Sequence, residues 1–123
     1  FGAATHDIGK ARIRKELSEP GVEHEAVGEA LLLEHGISAE RARFARSHGA
    51  DVRTLPLDDV MVVLADNTWK GKRRKELDDR VIALLTAAAA APAWDAFLRL
   101  DGILSAVARD ADKRLDWQGQ HPC

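Results

Sequence analysis

Apolar positions recur at three- and four-residue spacing along most of the chain, a pattern that predicts helices. Two-residue alternation is rare, there is no tyrosine and few threonines, so strand signals are weak. Residues 1–7 read as the end of a helix that stops near Gly9. Residues 22–35 form a second helix after Pro20-Gly21, with Gly36 suited to the left-handed position behind its C-terminus. Ser38 can cap a third helix over residues 39–48, closed by Gly49. A fourth spans residues 57–69, with Asp58 and Asp59 in the first turn, where the helix dipole favours them. Gly71 stops it, residues 75–90 form a fifth, and Pro92 opens a sixth that runs to about Asp116.

On that sixth helix Trp94, Phe97, Leu98, Leu100, Ile103, Leu104 and Val107 fall at near-helical spacing, which predicts core packing. The alanine run 87–91 reads as a helix end close to a neighbour, or a spacer. The expected fold is all-α, a bundle of about five to six helices in a single domain over residues 1–117, with residues 118–123 as a frayed tail.

Composition narrows the setting. The chain has 123 residues, 46% hydrophobic and 31% charged, with a formal net charge of −2. That is one ordinary globular domain, and the charge argues against a general nucleic-acid or membrane-surface binder. No apolar run approaches the roughly 20 residues that span a bilayer. Cys123 is the one cysteine, so no intrachain disulfide forms and a reducing, cytoplasmic setting is the simplest. The chain opens on Phe1 and runs at once into its densest motif. We therefore expect that an N-terminal part of the native protein is missing, and that the apolar surface it leaves is covered by that segment or by a second copy.

The informative residues are polar ones on apolar faces. Asp66 ends VMVVLAD, below Val62 and Val63, and so points to the edge of the core. A carboxylate there needs a partner, either a lysine or arginine or a metal ion. His24 shares a face with Val27, Gly28 and Leu31, and His48 ends the third helix below Phe44 and Ala45. Each alone reads as a hydrogen-bonded core residue, or for His48 as a favourable charge at a helix C-terminus. As a set with His6 and Asp7 they offer nitrogen and oxygen donors without thiolates, which suits Mn²⁺, Fe, Mg²⁺ or Zn²⁺ and not a structural zinc site.

HDIGK, followed by HEAVGEALL, SHG and LADNTWKGKR, resembles the HD superfamily of metal-dependent phosphohydrolases over roughly residues 1–75. The resemblance implies a compact HD-domain-like helical bundle and one or two divalent ions, with Mn, Fe, Mg, Ni and Zn as candidates. His6, Asp7 and Asp66 would hold a metal, with His24 and His48 added where two are bound and Asp7 as the bridge. The family pattern begins with a further histidine on an earlier helix, and no histidine precedes His6 here.

The implied chemistry is attack of metal-activated water on the phosphorus of a small phosphorylated substrate such as a nucleotide. Asp7 would orient that water and Lys10 would contact a phosphate oxygen, its other reading being a surface lysine. Lys70 and Lys72, in a basic run with Arg73 and Arg74, would draw in the substrate or else form ion pairs with Glu76, Asp78 and Asp79. Two competitors remain: a catalytically impaired nucleotide-binding or regulatory module, and a helical interaction domain with no site.

Overall fold

The structure, a computed structural model, describes residues 1–47, 49–89 and 92–121. It is all-helical, with no strand among the described residues. Contacts group into two compact units, Phe1–Val63 and Leu64–Cys123. No helix among the described residues is long and apolar enough to cross a membrane.

In the first unit, α1 (Gly2–Thr5) leads into two 3₁₀ turns, Ile8–Ala11 and Arg14–Leu17, followed by α2 (Glu23–Glu34), α3 (Ala39–Ala42) and α4 (Phe44–Ser47). Helix α2 ends as its glycine predicts. Gly36 has φ +76°. Its amide reaches the Leu33 carbonyl at 3.0 Å, and the Ile37 amide reaches that of Leu32 at 3.0 Å. These are the two bonds of a Schellman motif, and Ile37 packs on the buried cluster of Leu32, Ala42 and Ala45 that follows from it. Full burial of a side chain such as Leu32 is worth about 1.5–3 kcal/mol.

Gly9 has a different job from the expected helix stop. Helix α1 ends at Thr5, and Gly9 lies buried inside the first 3₁₀ turn. A Cβ on Gly9 would overlap the His24 carbonyl oxygen and stand 2.7 Å from the Gly28 amide nitrogen. Gly28 answers it, since a Cβ there would come 3.1 Å from Ala45 Cβ and from the Gly9 nitrogen. The turn that follows the His-Asp pair is thus laid directly on the backbone of α2.

The third predicted helix is broken into α3 and α4 at Arg43. The Arg43 guanidinium pairs with Asp59, Nη2 to Oδ2 at 2.9 Å, and its Nη1 donates to the Glu40 carbonyl. That carbonyl is the one a continuous helix would offer to the Phe44 amide, so the side chain competes for it at the point where the helix breaks. Asp59 is almost fully buried and anchors the Arg43 guanidinium in addition to its place in a first helical turn.

α5 (Leu57–Trp69) has the predicted bounds and contains the division between the units. The second unit continues with α6 (Lys75–Ala89), α7 (Ala93–Ala108) and α8 (Ala111–Gln120). Gly71, φ +71°, closes α5 with a second Schellman pair: its amide meets the Thr68 carbonyl at 3.0 Å, and the Lys72 amide meets that of Asn67 at 2.8 Å.

The predicted sixth helix is two helices. Arg114 of α8 reaches back, Nη2 donating to the Val107 carbonyl at 2.7 Å and to the Trp69 carbonyl at 3.0 Å, with its guanidinium 4.2 Å from the Trp69 ring centroid. The side chain caps α7 and lets the chain turn at Arg109-Asp110. Helix α8 then continues through Gln120, past the expected end near Asp116. Core packing of α7 is also narrower than predicted. Leu100 and Leu104 are buried, whereas Trp94, Phe97, Leu98, Ile103 and Val107 are exposed.

Candidate functional site

The first unit gathers four of the predicted site residues: His6, Asp7, Lys10 and His24. Helix α1 closes with the His6 amide on the Gly2 carbonyl, 2.9 Å. The His6 ring folds back so that Nδ1 donates to the Ala3 carbonyl at 3.0 Å. A carbonyl only accepts, so Nδ1 carries the proton, and in the neutral ring Nε2 keeps its lone pair. That Nε2 lies 3.7 Å from Asp7 Oδ2.

His24 repeats the arrangement from α2. Its Nδ1 lies 2.5 Å from Glu16 Oε2, and its Nε2 lies 3.2 Å from Asp7 Oδ1. Two imidazoles, from different elements, therefore turn Nε2 toward the two oxygens of one carboxylate. Lys10, three residues on in the 3₁₀ turn, places Nζ 2.6 Å from Asp7 Oδ2. Where the sequence predicts either a phosphate contact or a surface lysine, Lys10 is a half-buried ion-pair partner of Asp7. The exposure falls from outside to inside: 32% for the Asp7 side chain and 5% for that of His24.

Glu16 is the member that sequence reasoning missed. Both it and His24 are buried. Oε2 accepts from the His24 ring and from the His24 amide at 3.1 Å, and Oε1 accepts from the Glu23 amide at 3.1 Å. Burial alone pushes the Glu16 carboxyl up, but the His24 ring and the two backbone amides outweigh it and hold the group below its ordinary range. Burial pushes Glu25 up instead, with the Glu16 and Asp7 charges adding to it. The signal for Glu16 was the turn at Pro20-Gly21, which reverses the chain between residues 16 and 24. A Cβ on Gly21 would run into the Glu16 carboxylate.

The remaining predicted residues lie elsewhere. His48 is outside the described residues. Asp66, Lys70 and Lys72 belong to the second unit. Asp66 is partly buried at the core's edge as predicted, and of its alternative partners a lysine is present: Lys70 Nζ is 2.7 Å from Oδ1. Lys72 is exposed. The basic run beyond it is ion-paired, Arg73 with Asp78 at 2.7 Å and Asp101 at 3.1 Å, Arg74 with Glu76 at 2.9 Å and Lys75 with Asp79 at 2.6 Å.

Chemically, an imidazole Nε2 turned toward a carboxylate oxygen offers one nitrogen and one oxygen donor, and a divalent cation can accept both types. By donor type Asp7, His6 and His24 fit such a cation. Among the described residues, no group of three or more His, Cys, Asp or Glu side chains is arranged to hold a metal ion. A cleft of about 400 Å³ is lined by Glu25, Glu29, Arg43, Arg46, Ser47, Gly49 and Ala50, and Asp7 is not among its lining residues. No protein-family model matches the chain, and comparison with curated proteins and with solved structures finds no match either.

Proposed function

We propose that the chain is a metal-dependent phosphohydrolase of the HD type, cytoplasmic, acting on a phosphoester or phosphoanhydride of a small substrate such as a nucleotide. The observation that carries this reading is the turn of His6 Nε2 and His24 Nε2 toward the two oxygens of Asp7. Asp7, His6 and His24 would hold one divalent ion or share two, drawn from Mn, Fe, Mg, Ni and Zn. Bound there, such an ion supplies an activated water and polarises the P–O bond.

The chain's own groups do the rest. Asp7 carries the negative charge that draws the cation and orients the water beside it. His24, buried, keeps the inner side of the carboxylate dry, which strengthens each charge interaction there. Lys10 stands beside Asp7 Oδ2, where its ammonium offsets charge on a phosphate oxygen.

The second reading is a nucleotide-binding module without turnover. It is favoured by the Lys10 ion pair, which already neutralises Asp7 at 2.6 Å. A screen of nucleotides and simple phosphoesters with Mn²⁺, Fe²⁺, Mg²⁺ and Ni²⁺ tests the first reading. We expect metal-dependent hydrolysis that falls about a hundredfold or more in Asp7→Ala. Activity that survives Asp7→Ala would rule the site out, and nucleotide binding without turnover would favour the module.

A further inference from the structure

We propose that Glu16 is the positioning residue of the site: it sets the tautomer and ring orientation of His24 so that Nε2 faces Asp7. The inference rests on reading Asp7 and His24 as the two sides of one cation site. Glu16 acts only through His24, and the hydrogen bonds described above show how.

An imidazole in water exchanges its one proton between two nitrogens and rotates freely. A carboxylate held against Nδ1 ends both freedoms, because it accepts a bond only from a protonated nitrogen. Of the two carboxylates at this ring Glu16 is the nearer and the more buried, with Oε2 at 2.5 Å from Nδ1 against 3.2 Å from Nε2 to Asp7 Oδ1, so in the neutral ring the proton sits on Nδ1 and Nε2 is directed at Asp7. The orienting group is itself held. Its two oxygens accept the Glu23 and His24 amides, which are the first two of α2. Val22, the residue before the helix, makes no side-chain capping bond. Glu16, six residues before Val22, does the capping in its place, and it uses the same carboxylate that holds the ring. The start of α2 and the direction of its histidine are therefore set by one group. Gly21 keeps the space that this arrangement needs, since any Cβ there meets the carboxylate.

Capping and positioning are separable. Glu16→Ala removes both, while Glu16→Ala with Val22→Asp returns a local cap to α2 and leaves the ring without its carboxylate. Two readouts follow on the full chain. The first is nitrogen NMR of the His24 ring without added metal. We expect Nδ1 protonated throughout in the parent protein, and the proton divided between the nitrogens in the double variant. The second is Mn²⁺ affinity by titration, expected to fall about 10–100-fold in the double variant, as for other groups that orient a metal ligand. Glu16→Gln, which can turn its amide nitrogen to the ring, should also weaken Mn²⁺.

A parent protein whose His24 tautomer is mixed, or unchanged in the double variant, overturns the proposal. So does full recovery of Mn²⁺ affinity once the cap is restored, for then Glu16 serves the helix alone. A parent protein that binds no Mn²⁺ but shows the tautomer switch refutes the metal reading and leaves the positioning role supported.

Discussion

Helices α2 and α7 make opposite use of their sequences. Helix α2 buries His24, Gly28 and Leu32, a stripe at four-residue spacing of which one member is polar and one has no side chain. Helix α7 carries seven large apolar residues, of which Leu100 and Leu104 alone are buried. Apolar content ranks these helices the wrong way round. In α2 the close approach of backbone at Gly9 and Gly28 does the packing, and it brings a histidine inside where a carboxylate can hold it. In α7 the apolar arc is broad, its centre is buried and its two edges are exposed. The lesson is that a buried polar residue, paired on both sides, marks a built site better than a run of leucines does.

Substitution at the two contact types sharpens this comparison. Gly9→Ala should cost the most. Its Cβ meets the His24 carbonyl, a backbone atom that cannot yield without unwinding α2. We expect a loss of about 3 kcal/mol in denaturant unfolding, the upper end of ordinary overpacking. A cost near zero would show that the turn and the helix are not in direct backbone contact. On α7, Leu104→Ala should cost about 2 kcal/mol, the low end for a buried leucine. Its neighbour Ile103, 62% exposed, should lose less than about 0.5 kcal/mol on truncation. Equal losses at Leu104 and Ile103 would mean that the exposed edge of the arc is covered in solution.

What could be read in advance follows the same division between local and distant causes. The ends of α2 and α5 were legible because Gly36 and Gly71 act on the carbonyls of their own helices. The breaks at Arg43 and at Arg109-Asp110 were not, because the first depends on Asp59 and the second on Arg114 reaching back over α7 to the Trp69 carbonyl. In the site, His6, Asp7, Lys10 and His24 were visible as residue types in an ordered pattern. Glu16 was one acid among several in a polar stretch. Its role exists only once the chain has turned at Gly21 and the carboxylate has been closed off from water.

The smallest expected effect concerns charge, and its sign is opposite to that of a paired acid. Glu25 sits on α2 next to His24, and burial with the Glu16 and Asp7 charges raises its pKa in the folded chain, against the opposing influence of His24 and Arg46. A raised carboxyl favours the folded state while it is protonated. Stability from this group is therefore present at low pH and is lost as pH climbs from the unfolded value toward the folded one. Glu25→Gln removes the charge and keeps the shape. Its melting temperature should exceed the parent's slightly at pH 7 and match it near pH 4. A variant less stable than the parent at pH 7 would show that the Glu25 carboxylate is bound by a positive partner that outweighs its burial, and α2 would then carry a second paired acid beside the histidine rather than a strained one.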